Sequence, residues 1–155
     1  MPTYGAGVDV DATPAQAFAY VADLTRHGEW SADPLEIRPL GGADGGAGSR
    51  YQATAEAQGK TITAQLEVTE TEVPRRFGFR VSDLTGDYEH VFTFAKIAAG
   101  TRVERRIRTS KLSLPQLLLF YVVFFPVKLP NTKRAMERLK AHLEEATARP
   151  AAAGS

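Results

Sequence analysis

Residues 61–69 read TITAQLEVT. Ile62, Ala64, Leu66 and Val68 alternate with Thr61, Thr63, Gln65, Glu67 and Thr69, a strict period of two. Successive side chains of a strand point to opposite faces. The stretch therefore predicts a strand with one buried and one solvated face, the usual form in an antiparallel sheet. Working outward, Gln58-Gly59 reads as a two-residue turn that pairs Ala55 with Ile62, Ala53 with Ala64 and Tyr51 with Leu66 on one face. Residues 83–86, DLTG, make the next turn and pair Val81 with Tyr88, Phe79 with His90 and Phe77 with Phe92. A third turn near Ala98-Ala99 pairs Phe94 with Val103, which sets Phe92 opposite Arg105 and His90 opposite Ile107. A slip of one residue exchanges the two faces of a strand; here it would place Phe92 beside Arg106 on a mixed face. The chosen register leaves Thr93, Ala95, Arg102, Glu104, Arg106 and Arg108 together on a solvent face.

The flanks of this meander carry helix signals. Residues 3–10 alternate loosely and predict a first strand. Thr13-Pro14-Ala15-Gln16 is a capping box with proline at the first helical position, opening a short helix to about Leu24 with Phe18, Val21 and Ala22 on one face. Residues 25–34 predict a turn or second short helix, 35–38 a short strand, and GGADGGAG at 41–48 a flexible loop. Ser113-Leu114-Pro115-Gln116 repeats the capping logic and opens a second long helix. Pro126 or Pro130 is expected to kink it. It resumes at Asn131 or Thr132 and ends near Thr147, with Met136, Leu139 and Leu143 as an apolar stripe. The result is an α+β chain: one antiparallel sheet with a face to cover, and one element, the C-terminal helix, long enough to cover it.

The 155 residues suffice for one core, expected over 1–148, with RPAAAGS at 149–155 as a disordered tail. Apolar residues make up 43% and charged residues 24%, a soluble balance. The net charge of +1 gives no global pull toward nucleic acid, and the arginines of the solvent face lack interleaved aromatics. With no cysteine there is no disulfide or thiol chemistry, which fits a cytoplasmic protein. No secretory leader is visible in MPTYGAGVDVDA. No His or carboxylate pair has metal-ligand spacing, and no phosphate-loop or nucleophile-elbow motif occurs, so neither metal nor cofactor is expected.

The chain resembles a known superfamily. DATPAQAFAYVADLTRHGEW at 11–30, GSRY at 48–51, VPRRFGFRV at 73–81, GTRV at 100–103 and LKAHLEE at 139–145 are similar in order and spacing to the START-like (SRPBCC) signatures, in the polyketide cyclase/dehydrase-like branch. The match covers residues 3–147. It implies a helix-grip fold, in which a curved antiparallel sheet wraps a long C-terminal helix around an apolar cavity. It also implies a hydrophobic ligand such as a lipid, polyketide or quinone. Carriers, cyclases and hydrolases share the fold, so it leaves catalysis open. One departure stands out. Residues 117–127, LLLFYVVFFPV, carry no charge and are apolar all round, whereas the family's helix is more amphipathic there. The run is shorter than the roughly 20 residues that span a bilayer. It is expected to form the helical wall of the cavity. Its outer side is left to meet the glycine-rich loop, a peripheral membrane surface or a second protein, including a homodimer partner.

The inward sheet face holds Tyr51, Leu66, Phe77, Phe79, Phe92, Phe94 and Ile107 as candidate ligand contacts, joined by Trp30 and by Phe120, Tyr121 and Phe124 of the helix. His90 and Arg105 do not belong in a plain core. Arginine is almost never buried unpartnered, and its donors suit a carboxylate, phenolate or enolate. The alternative pairs Arg105 with Glu67 or Asp87 and His90 with a tyrosine. His27 and His142 lie in polar stretches and are expected to be solvated. Three functions follow. One is a carrier or sensor of a hydrophobic small molecule. Another is a cyclase or dehydratase in which Arg105 holds an enolate oxygen and His90 or Tyr88 moves protons. The third is a docking protein acting through residues 117–127.

Overall fold

The computed structural model describes residues 2–41, 44–57, 59–83, 86–110 and 112–153. Its strands are β1 (Thr3–Val10), β2 (Leu35–Pro39), β3 (Arg50–Ala57), β4 (Lys60–Glu72), β5 (Arg76–Asp83), β6 (Gly86–Ile97) and β7 (Gly100–Thr109). They form one antiparallel sheet in the order β1-β7-β6-β5-β4-β3-β2. The three hairpin registers fall where the alternation puts them: Tyr51 opposite Leu66, Phe79 opposite His90 and Phe92 opposite Arg105. Gln58 of the first expected turn and Leu84 and Thr85 of the second lie outside the described residues. A register shift between Val68 and Glu70, opposite Phe79 and Gly78, was not expected from the alternation. Such a bulge bends a strand and increases its twist. The β7 turn depends on Gly100: its φ is +139°, and a Cβ there would lie 2.1 Å from the Val10 carbonyl oxygen.

Helix α1 (Pro14–Ala22) starts on the expected box, with Gln16 N–H donating to Thr13 Oγ1 at 3.1 Å and Thr13 N–H to Gln16 Oε1 at 2.9 Å. A 3₁₀ turn (Leu24–Arg26) and the short α2 (His27–Trp30) follow. The C-terminal helix comprises α3 (Leu114–Leu119), a π-turn (Phe120–Phe124) and α4 (Phe125–Ala153). Gln116 Oε1 accepts from the Ser113 N–H and hydroxyl, both at 2.8 Å. Pro126 and Pro130 do not interrupt it. The irregularity is the π-turn just upstream, where an i→i+5 pattern replaces the ladder that Pro126 could not continue. The helix also runs beyond the expected end near Thr147, to Ala153; Gly154 and Ser155 of the expected tail lie outside the described residues.

The sheet wraps the second half of this helix, which is the helix-grip arrangement. Met136, Leu139 and Leu143 are completely buried against Phe18, Val21, Trp30, Phe77, Phe92, Phe94 and Val103. The first half behaves otherwise. Leu114, Leu118, Leu119, Tyr121, Val122, Val123, Phe124 and Val127 are exposed, Leu114 by 81%. Only Phe120, with Phe125 and Leu129 beside it, joins a small cluster on Tyr4 and Ile107. Residues 117–127 therefore do not wall the space between the sheet and the buried half of the helix, because the sheet closes on Met136, Leu139 and Leu143, about two and a half turns or more beyond Val127. By length and composition the continuous helix Leu114–Ala148 suffices to cross a membrane, which the short run at 117–127 did not suggest.

Candidate functional site

The sheet face is packed unevenly. Phenylalanines of β5 and β6 fill the half under α1 and α2. Toward β3 and β4 the inward positions include Ala53, Ala55 and Ala64, too small to reach α4. What remains is a cavity of about 290 Å³, near the lower end of ligand-binding cavities. Its sheet wall includes Ile37, Ile62, Leu66, Phe79, Val81 and Ile107. Lys128, Asn131, Thr132 and Ala135 of α4 close the other side, and Ser31, Ala32 and Asp33 follow α2 at one end. Tyr4, His27, Asp83, Tyr88, His90 and Arg105 add further polar groups to its wall.

Arg105 is the centre of this site. It is 9% exposed, and its Nη2 donates to His90 Nδ1 at 3.0 Å. Its guanidinium carbon lies 5.5 Å from the ring centroids of both Trp30 and Phe92. Among the described residues no carboxylate pairs with it, neither Glu67 nor Asp87 nor any other, and its Nε is buried without a hydrogen-bond partner. Loss of hydration lowers its pKa to about 10, partly opposed by Tyr4, so it remains a cation at neutral pH. A buried charge costs several kcal/mol unless it is paired. Two aromatic faces and one imidazole nitrogen offset only part of that.

The arginine dictates the state of its neighbour. Arginine has no acceptor, so His90 Nδ1 must be the unprotonated nitrogen and Nε2 carries the hydrogen. His90 stacks on Phe79, with centroids 4.8 Å apart and planes 6° from parallel. Burial first, and then the Arg105 charge, hold its pKa well below 6.5. The ring is partly accessible through the cavity, yet it sits deep enough for water to screen it poorly. His27 was expected in solvent, but it is 7% exposed and stacks 4.1 Å from Trp30. Burial, then Arg105, lowers its pKa as well, and its Nδ1 is unpartnered among the described residues. His142 is partly buried on α4.

The cavity thus brings together His90, Arg105, Tyr88, Leu66, Phe79 and Ile107 of the sequence candidates. Trp30 of α2 and Tyr51, Phe77, Phe92 and Phe94 of the sheet instead lie in the packed core. Tyr121 is solvent-exposed. Phe120 and Phe124 line a second cavity of about 170 Å³, with Leu112, Leu119, Asp87 and Thr109. Tyr88 and Lys128 belong to the walls of both cavities. Lys128 Nζ stands 6.0 Å from the Tyr88 ring centroid. Sequence reading missed Tyr4, His27 and the α4 residues. Tyr4 was reachable, since pairing β1 with β7 puts it opposite Ile107; His27 lies one turn before Trp30.

Residues 1–144 match the sequence profile described as polyketide cyclase / dehydrase and lipid transport. The chain belongs to that family. A search of curated proteins found no match. Among solved structures, TTHA0849 from Thermus thermophilus is similar at 21% identity and TM-score 0.73, covering 94% of this chain and 99% of that one. Protein CV1439 from Chromobacterium violaceum is similar at 16% identity and TM-score 0.71, with 93% and 99% covered. The di-domain ARO/CYC StfQ from the steffimycin biosynthetic pathway matches over 46% of its length and 97% of this chain, at 17% identity and TM-score 0.63. These likenesses establish the helix-grip fold of this family member; its chemistry rests on the cavity.

Proposed function

We propose that the protein binds, as a carrier or sensor, a compact apolar molecule bearing one anionic oxygen, a carboxylate, phenolate or enolate. The observation that carries this reading is the buried Arg105 cation with no carboxylate beside it and a free Nε. An anion there gains a charge-assisted hydrogen bond and removes the cost of an isolated charge. His90 Nε2–H supplies a second, neutral donor, while Phe79, Leu66 and Ile107 take the hydrocarbon part. The family description includes both polyketide cyclases and lipid transport.

The histidine favours binding over turnover. With Nδ1 occupied by Arg105, His90 has no lone pair to offer as a base unless that bond breaks. Donating its Nε2 proton outright would leave an imidazolate. A cyclase or dehydratase acting on a polycarbonyl substrate would have to use Tyr88 or move Arg105.

Matched ligands test the reading. Naphthoic acid and naphthamide have nearly the same shape and differ in charge. The wild-type protein should prefer the acid by about tenfold or more, the value of one charge-assisted hydrogen bond. In Arg105→Met that preference should vanish. Equal binding of acid and amide by the wild type would sink the proposal. Native mass spectrometry of freshly purified protein, followed by extraction, would identify the natural ligand class.

A further inference from the structure

We infer that the exposed first half of the C-terminal helix docks on the interface of an anionic lipid bilayer. The exposed apolar residues do not form a stripe. At roughly 100° per residue, Leu114, Leu118, Val122, Leu119, Val123 and Val127 point to widely separated directions around the helix axis. Only the strip of Phe120, Phe125 and Leu129 is held by the protein, and the π-turn is what aligns it, since i→i+5 spacing brings Phe125 into line with Phe120. A protein partner covers one side of a helix. Lipid chains and headgroups deform around the exposed arc on either side of that strip, so lipid fits this distribution better than a second copy of the chain.

Charge gives an independent argument. Between Glu104 and Glu137 the sequence has no Asp or Glu, while Lys111, Lys128, Lys133 and Arg134 flank the run. These four cations therefore have no acidic neighbour along this segment of the chain. Two copies meeting through this helix would bring like charges together, whereas a bilayer with anionic headgroups complements them. Immersion is shallow. Residues 114–127 cover about 21 Å of helix, less than the roughly 30 Å hydrocarbon core. Phe120 and Phe125 also tie the helix to Tyr4, at ring distances of 6.1 and 6.3 Å. The second cavity, lined by Leu119, Phe120 and Phe124, then lies against the lipid, and the Tyr88–Lys128 pair separates it from the Arg105 cavity. A route from bilayer to Arg105 rests on the ligand-binding reading above; the docking does not.

Co-sedimentation of the full chain with phosphatidylcholine vesicles, with and without phosphatidylglycerol, tests this. Wild-type protein should bind the anionic vesicles, and added salt should weaken binding. Leu118→Glu with Val122→Glu should reduce it about tenfold or more. Lys133→Ala should reduce it roughly fivefold. Both glutamate sites are exposed, so the melting temperature and naphthoate binding in lipid-free solution should be unchanged, which separates failure of docking from failure of the ligand site. Three results would overturn the inference. One is absence of binding to either vesicle. Another is a dimer, dissociated by Leu118→Glu, that ignores vesicles. The third is retention of bound protein through salt and alkaline carbonate, the mark of a spanning helix.

Discussion

Arg105 shows how one residue can be unfavourable for folding and informative about function. Its neighbours are aromatic or neutral, and only His90 accepts from it. Arg105→Met should fold and gain ~1 kcal/mol or more, because removing an unpaired buried charge outweighs the loss of one acceptor's partner. Chemical denaturation checks this, and a large loss of stability would mean the cation has a structural partner. The histidines predict a pH dependence. His27 and His90 are held neutral below their ordinary pKa, so under acid the unfolded chain takes up protons that the native state refuses. Stability should therefore fall as pH drops below about 6.5, by up to ~1.4 kcal/mol per pH unit for each histidine. Denaturation at pH 7 and pH 5.5 measures the slope, and His90→Asn should flatten it.

At the scale of elements, the C-terminal helix does two jobs in succession. Its second half is core, and its first half is attached through one aromatic strip. Phe120 is 6% exposed and packs on Tyr4, Phe125 and Tyr121. Phe120→Ala should cost about 3 kcal/mol if the strip anchors the helix as rigidly as a core site does. Thermal unfolding gives the loss. A cost near zero would mean that the first half is held only loosely. The solvent-facing arginines of β7 behave as ordinary surface charges. Arg102 meets Asp9 at 3.2 Å and Arg108 meets Glu89 at 3.6 Å, both in exposed positions where such pairs contribute ~0–1 kcal/mol.

The whole molecule makes its cavity by subtraction. The sheet and the helices packed on it enclose a volume that phenylalanines fill at one end and alanines leave open at the other. Ala64→Leu adds bulk at the open end, facing the cavity rather than a packed neighbour. It should leave stability within about 1 kcal/mol, while abolishing naphthoate binding by titration. Unchanged binding would move the ligand elsewhere, the second cavity being the alternative. The alternation in TITAQLEVT and its neighbours was enough to settle three strand registers, because period two makes a one-residue slip exchange buried and wet faces throughout a strand. The pairing of Phe92 with Arg105 was legible for the same reason. Which inward aromatics line a cavity was not legible, because α1 and α2 cover one half of the sheet and alternation says nothing about which half. Nor was the exposure of residues 117–127. Local sequence determined that this run is helical and apolar. Only the tertiary structure decided that the sheet closes around Met136, Leu139 and Leu143 instead, since burial depends on where distant elements meet.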